Sequence, residues 1–177
     1  MSETIEIRAG VDGDVAAIAA IYAHHVQTGT ASFETEAPDE DEMRRRRKEA
    51  MGRGYPYVVA DVGGEVLGYA YAGPYRARPA YRNTVENSVY VRPDAMRRGI
   101  GRMLLGRLLK ECAERGFRQM VAIVGDSGNL ASIRLHERAG FRRVGVLQSV
   151  GWKHGRWLDT VLLQRELGAG DGEPPSG

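Results

Sequence analysis

Cysteine and long apolar runs are both scarce in this sequence. Cys112 is the only cysteine among 177 residues, which excludes an internal disulfide and any zinc site built on several thiolates. The apolar runs extend over only a few residues, far short of the ~20 that a membrane span needs. The opening segment MSETIEIRAG carries acidic residues and no long apolar stretch, unlike a secretory signal. These absences predict a cytoplasmic protein with no membrane partner.

An excess of one charge sign is also missing. The 25 lysines and arginines nearly balance the 23 aspartates and glutamates, and the net charge of +2 gives no indication of nucleic-acid binding. The charges are not evenly distributed along the chain, because residues 92–118 hold eight basic and three acidic residues. This island either attracts a small polyanion, such as a phosphate-bearing cofactor, or forms a solvated helix face. The basic run RRRRK at 44–48 follows four acidic residues and is interpreted as part of a solvated helix.

The remaining composition is that of an ordinary globular domain, with 42% apolar and 27% charged residues. We predict one domain over residues 1–167, followed by a Gly-, Pro- and Ser-rich disordered tail at 168–177. Alternating and helical periodicities predict an α/β fold with a mixed sheet. The predicted strands are 4–8, 55–62, 65–75, 84–92, 119–124, 141–147 and 158–164, and the predicted helices are 13–27, 39–51, one that opens at 98–101 and closes at Gly116, and 129–139.

A strand, a turn and a helix follow one another in the segment VYVRPDAMRRGIGRMLLG at 89–106. Glycines at such a turn let the backbone approach a ligand, and the first N–H groups of the helix have no partner within it. Together with the positive end of the helix dipole, they form an anion site. Arg97, Arg98 and Arg102 add positive charge. The alternative is an ordinary helix start whose glycine permits close packing.

Several motifs resemble the GNAT superfamily of acetyl-CoA-dependent N-acyltransferases, over a match from about Ile5 to Leu167. They are R-R-G-I-G-R at 97–102, then an amphipathic helix, an apolar strand, and N-x-x-S-x-x-L-H-x-x-x-G-F from Asn129. Three further segments are similar to the phosphinothricin and methionine sulfoximine/sulfone acetyltransferase branch: VENSVYV at 85–91, S-x-R-L-H-E-R-A-G-F at 132–141 and GWKHGRWLD at 151–159. The chain departs from the family at Met96, where Gln or Arg is usual.

The resemblance implies a fold, a cofactor and a set of cofactor-binding residues. The fold is a mixed, mostly antiparallel, twisted sheet of about seven strands flanked by about four helices, assembled as a homodimer. Acetyl-CoA would lie beside the strand 84–92, with its pyrophosphate at the turn and its pantetheine amides near Asn129, a residue that could equally be a helix cap. The implied cofactor-binding residues are Val89, Tyr90, Val91, Arg97, Arg98, Gly99, Ile100, Gly101, Arg102, Asn129 and Ser132.

N-acetylation requires a neutral amine, so a base must accept a proton. Glu86 precedes the implied acetyl site, and a carboxylate on a central strand is unfavourable unless it is used or paired. We predict that Glu86 is the general base, with a salt bridge to a nearby arginine as the alternative. The backbone N–H of Val91 could meet the developing oxyanion. His136 either protonates the departing thiolate, where many family members carry Tyr, or is a packed helix residue.

An amino-acid-like acceptor carries a carboxylate, which arginine binds in a bidentate manner. Arg76 and Arg78 lie in the loop before the strand 84–92 and suit this role, although both could be solvated surface residues. Phe33 could form an apolar wall. Tyr81, Asn87, Ser88 and Glu86 complete the predicted acceptor site. The four histidines show no metal-ligand spacing, so no metal is predicted, and Cys112 is assigned to the core.

Three functional hypotheses follow. The leading one is an N-acetyltransferase that acts on a small amino-acid analogue such as phosphinothricin, methionine sulfoximine or methionine sulfone. A second is a GNAT enzyme that acetylates a protein N-terminus or another amine. A third is a non-catalytic module that binds acyl-CoA, against which the carboxylate of Glu86 argues.

Overall fold

The computed structural model describes residues 4–175 and contains one seven-stranded sheet, against which the helices pack. The strands are β1 (Glu6–Ala9), β2 (Tyr57–Val62), β3 (Glu65–Pro74), β4 (Thr84–Val91), β5 (Gln119–Gly125), β6 (Arg142–Lys153) and β7 (Arg156–Glu166). The helices are α1 (Val15–Thr28), α2 (Glu40–Gly52), α3 (Ile100–Glu114) and α4 (Leu130–Arg138). Short 3-10 turns lie at Asp12–Asp14, Pro79–Tyr81 and Pro93–Ala95.

The strand order is β1-β2-β3-β4-β5-β7-β6, and every neighbouring pair is antiparallel except β4 and β5, which are parallel. One face of the sheet packs against α3 and the start of α4, and the other packs against α1 and α2. The predicted mixed, mostly antiparallel sheet with four helices is therefore confirmed.

Helix α3 supplies the largest share of one core layer. Ile100, Leu104, Leu108 and Cys112 recur at helical spacing, and all four are buried. Gly116, with a φ of 85°, follows the last turn in the left-handed conformation that favours glycine. Cys112 has no exposed surface, and burial raises the pKa of its thiol to about 12, so its assignment to the core is confirmed.

Helix α2 carries the basic run 44–48 beside acidic partners. Asp39 caps the helix by accepting a hydrogen bond from the Glu42 N–H (2.8 Å). Arg45 pairs with Glu42 at 2.7 Å on the solvent side. The interpretation as part of a solvated helix is wrong at Arg47, which is buried and donates to the Gly10 carbonyl.

The last two strands are longer than predicted, because an irregular segment interrupts the alternation of β6. Leu147 pairs with Thr160 and Gly151 pairs with Leu158, so residues 148–150 lie opposite Asp159 alone. The Asp159 carboxylate accepts a hydrogen bond from the Ser149 N–H (3.0 Å), and Ser149 has a φ of 53°. Such a bulge removes the period-two pattern that identifies strands in a sequence.

The segment after Leu167 forms turns over residues 168–172, and the guanidinium of Arg118 donates to the carbonyls of Gly170 (3.3 Å) and Pro174 (3.1 Å). Residues 1–3 of the predicted domain and 176–177 of the predicted tail lie outside the described residues. Within residues 4–175, no helix is both long and apolar enough to cross a membrane.

The core function of α3 is testable at Leu108, which has no exposed surface. We expect Leu108→Ala to lower the free energy of unfolding by about 2–5 kcal/mol, because the lost methyl groups leave a cavity. Lys110→Ala, at an exposed position of the same helix, should change it by less than about 0.5 kcal/mol. Urea unfolding followed by circular dichroism measures both, and equal losses would contradict the assignment.

Candidate active site

Strands β4 and β5 separate in the middle of the sheet. Their parallel pairing covers Thr84↔Gln119 to Asn87↔Ala122 and then stops, although β4 continues to Val91 and β5 to Gly125. The gap opens into a cleft of about 450 Å³. The rest of its wall comes from residues 31–34, Tyr22 of α1, Tyr71 of β3, Thr160 of β7, and Asn129, Ser132 and His136 at α4.

Nine predicted site residues meet in this cleft: Phe33, Glu86, Asn87, Ser88, Val89, Tyr90, Asn129, Ser132 and His136. Three others, Arg76, Arg78 and Tyr81, lie in the exposed loop that follows β3 and do not line the cleft. The guanidinium of Arg76 instead lies 5.1 Å from the ring centre of Tyr75. The turn 97–102 lies beyond the end of β4.

Glu86 is half-buried in the cleft wall, on the face of β4 that it shares with Tyr90. Burial raises the pKa of its carboxyl group above the ordinary value of 4.5. Among residues 4–175, no basic side chain lies within salt-bridge distance of Glu86, so the alternative of a structural salt bridge has no support. A half-buried carboxylate without a cation has an increased affinity for a proton, which suits a general base.

His136 lies against Asn87, on the face of β4 opposite to Glu86. Its ring is only 4% exposed, and burial lowers its pKa. Nδ1 donates to the Ser132 carbonyl at 2.8 Å, which fixes the proton on that nitrogen. Nε2 lies 3.0 Å from Oδ1 of Asn87. Two acceptors do not bond to each other, so this contact holds the ring only with a second proton on Nε2 or with the Asn87 amide turned to present its NH2 group.

The end of β4 presents backbone groups to the gap. The Arg92 N–H donates to the Leu67 carbonyl of β3 at 2.8 Å, and successive residues of a strand point in opposite directions. The N–H and C=O of Val91 therefore face away from β3, towards the opening. Its carbonyl accepts a hydrogen bond from Nε2 of His25 at 2.8 Å, a contact between α1 and β4 that the sequence did not indicate.

The turn before α3 has the geometry of an anion site. Arg97 and Gly99 have φ values of 64° and 80°, and left-handed residues alternating with ordinary ones direct several N–H groups into one concavity. Arg97, Arg98 and Arg102 are exposed, and none of them forms an ion pair with residues 4–175. A Cβ at Gly101 would lie 3.4 Å from Leu135, an ordinary van der Waals distance, so the packing of α3 against α4 does not itself require glycine there.

Of the two roles considered for Asn129, the structure shows the helix cap, and contact with the cofactor stays a prediction. Asn129 is the N-cap of α4, because its Oδ1 accepts a hydrogen bond from the Ser132 N–H (3.3 Å), and it also lines the cleft.

The sequence reasoning missed part of the wall, notably Tyr22, Ser32 and Glu34. The Tyr22 hydroxyl donates to Glu34 at 2.7 Å and lies 2.8 Å from Oγ of Ser32. In the sequence, Tyr22 shows only the helical spacing of α1, and the loop 28–38 has no periodicity from which its direction can be inferred.

Comparison with known proteins agrees with this geometry. The profile of the acetyltransferase (GNAT) family matches residues 12–141. The chain belongs to the acetyltransferase (GNAT) family. The GNAT chain is 56% identical over 165 residues to the phosphinothricin N-acetyltransferase of Alcaligenes faecalis, covering 93% of this chain and 84% of that protein. It is 45% identical to the L-methionine sulfoximine/L-methionine sulfone acetyltransferase of Pseudomonas paraeruginosa, covering 90% and 92%.

A solved structure has the same fold. The GNAT superfamily phosphinothricin acetyltransferase from Sinorhizobium meliloti, in complex with AcCoA, superposes with a TM-score of 0.94 at 45% identity, covering 98% of this chain and 94% of that one. These matches confirm the predicted family, its fold, and an acetyltransferase activity that uses acetyl-CoA. The separated strands and the anion-binding turn of this GNAT chain fit such a cofactor.

The turn assignment predicts the effect of a negative charge at Gly101. We expect Gly101→Glu to abolish measurable acetyl-CoA binding in calorimetry, because a carboxylate would enter a site built for an anion. Gly106→Glu places the same charge on the same helix, where an added Cβ has open space, and should bind normally. A folded Gly101→Glu protein with unchanged affinity would contradict the assignment.

Proposed function

We propose that this GNAT chain transfers the acetyl group of acetyl-CoA to the amino group of a small amino-acid analogue such as phosphinothricin, methionine sulfoximine or methionine sulfone. The proposal rests on the half-buried carboxylate of Glu86, which has no cationic partner within residues 4–175 and lies one residue before the pairing of β4 with β5 ends. The relatives named above act on acceptors of this class.

Acetyl-CoA supplies the acetyl group as a thioester, and side chains of the cleft accept and donate the protons of the reaction. Glu86 accepts a proton from the acceptor ammonium group, directly or through water, because only a neutral amine attacks a carbonyl carbon. As the N–C bond forms and the C–S bond breaks, the Val91 N–H donates to the carbonyl oxygen, on which negative charge develops. The nitrogen loses its second proton to water as the amide forms, and the departing sulfur takes up a proton from His136 or solvent, so that one proton is released overall.

The acceptor carboxylate or phosphinate is assigned to Arg76 and Arg78. Gly73 pairs with Glu86 across the sheet, and β3 ends one residue later, so the loop that carries both arginines begins beside the proposed base. Phe33 supplies an apolar wall opposite. Asn87 and Ser88 of β4, together with Tyr81 of the loop, are further proposed contacts.

The competing functions can be separated by one screen. Free CoA release with a panel of amines, including amino-acid analogues and an N-terminal peptide, identifies the acceptor class. Turnover of the peptide alone would favour the second hypothesis, and no turnover with any amine would favour a binding module. The homodimer implied by the family resemblance stays a prediction.

Replacement of Glu86 tests the proposed base. Glu86→Gln is nearly isosteric but cannot accept the proton, so we expect kcat at pH 7 to fall by about 10²–10⁴-fold. The deficit should shrink at high pH, where more neutral amine is present. In the wild type, activity should decline as the pH falls through the Glu86 pKa, which burial places above 4.5.

The measurement is kcat against pH for the wild type, Glu86→Gln and the exposed control Glu114→Gln, beside their melting temperatures. Turnover by Glu86→Gln at the wild-type level at pH 7 would remove Glu86 from the mechanism.

Replacement of the loop arginines tests acceptor binding. Arg76→Ala or Arg78→Ala should raise KM for the acceptor roughly 10–150-fold, because a charged hydrogen bond contributes about 1.5–3 kcal/mol. The Kd for acetyl-CoA should not change. Arg82→Ala, an exposed arginine of the same loop, is the control. Normal acceptor kinetics in both variants would show that the carboxylate is bound elsewhere.

A further inference from the structure

The loop 29–34, here called the acceptor loop, forms one wall of the cleft without belonging to a helix or strand. Ala31, Ser32, Phe33 and Glu34 all line the cleft. Because the loop lacks repeating backbone hydrogen bonds of its own, its position depends on what its side chains and carbonyls contact. Those contacts come largely from the end of β5 and from the β6–β7 hairpin.

The ring of Phe33 lies between two glycines on different strands. A Cβ at Gly151 of β6 would overlap Cε2 of the ring and lie 2.7 Å from Cδ2, and one at Gly125 of β5 would lie 2.7 Å from Cε1 and overlap the Thr30 carbonyl oxygen. Carbon atoms do not approach so closely without displacement. Only glycine at both positions leaves room for the ring where it lies.

Three hydrogen bonds hold the loop over the same strands. Nζ of Lys153 donates to the Ser32 carbonyl at 2.8 Å, and the side chain is only 4% exposed. His154 of the hairpin turn donates to the Gly29 carbonyl at 3.1 Å. The Thr30 hydroxyl donates to Asp126, just after β5, at 3.2 Å.

We infer that the glycine pair Gly125 and Gly151 determines the size of acceptor that the cleft admits, because the ring of Phe33 fits between these two residues only when neither has a side chain. This inference rests on the proposed function and adds a selectivity element to it. Both edges of the ring are enclosed by the strands, and the remaining 38% of the residue is exposed. A side chain at either glycine would therefore drive the ring towards the acceptor.

The test is Gly151→Ala, assayed with amino-acid analogues of increasing side-chain length. We expect KM for the longest acceptor to rise about 10-fold or more relative to the shortest, because one methylene in such a pocket changes selectivity by that order. The Kd for acetyl-CoA should not change. Gly145→Ala is the matched control, since the same strand leaves open space around that Cβ.

A second substitution supplies the rescue. Phe33→Leu removes the ring that the methyl group of Gly151→Ala would displace, so the double variant should recover the acceptor preference of Phe33→Leu alone. If Gly151→Ala does not fold, Phe33→Leu decides by itself: a preference shifted towards longer acceptors supports the inference, and an unchanged preference overturns it.

The outcomes distinguish a failure of the proposed function from a failure of the inference about the glycine pair. If the wild type acetylates none of the analogues, the proposed function fails. If the wild type acetylates them and folded Gly151→Ala shows the wild-type preference, only the inference about the glycine pair is overturned.

Discussion

The short parallel pairing of β4 and β5 is the constraint on which the site depends. Only the stretch from Thr84↔Gln119 to Asn87↔Ala122 joins them, yet each strand continues because its other edge is paired, β4 with β3 and β5 with β7. The opening is therefore held by regular structure on both sides. Backbone groups that face it need hydrogen-bond partners, and an extended amide-bearing ligand can supply them as an additional strand would. The cleft is preorganised, so little ordering is needed on binding.

The chain uses carboxylates in two contrasting ways. Asp14 and Asp61 share the guanidinium of Arg8 at 2.8 and 2.7 Å, and hydrogen bonds from Arg8 and from backbone N–H groups hold both carboxyl pKa values below the ordinary range. Those carboxylates remain charged and structural. Glu86 has no cationic partner among residues 4–175, and its burial raises the pKa of its carboxyl group. The same side-chain chemistry thus yields a charged structural group at one end of the sheet and, in the proposed function, a proton acceptor at its centre.

Most of the fold was predictable because its signals are local and periodic. The four-residue spacing from Ile100 to Cys112 located α3, and alternation placed Glu86 opposite the core valines of β4. The missed features depend on contacts between distant segments. The direction of Phe33 is set by glycines about 90 and 120 residues later, which no local pattern encodes. The second half of β6 was missed because the bulge at Ser149 breaks the alternation.

The burial of Cys112 has a practical and chemical consequence. Each acetyl transfer releases CoA as a free thiol, and thiols exchange through their thiolate forms. With a pKa of about 12 and no exposed surface, the single sulfhydryl of the protein holds almost no thiolate at neutral pH. The enzyme therefore forms no mixed disulfide with its own product in the folded state. A thiol-reactive dye added during turnover therefore reacts with the released CoA and not with the folded protein, so its colour measures the reaction directly.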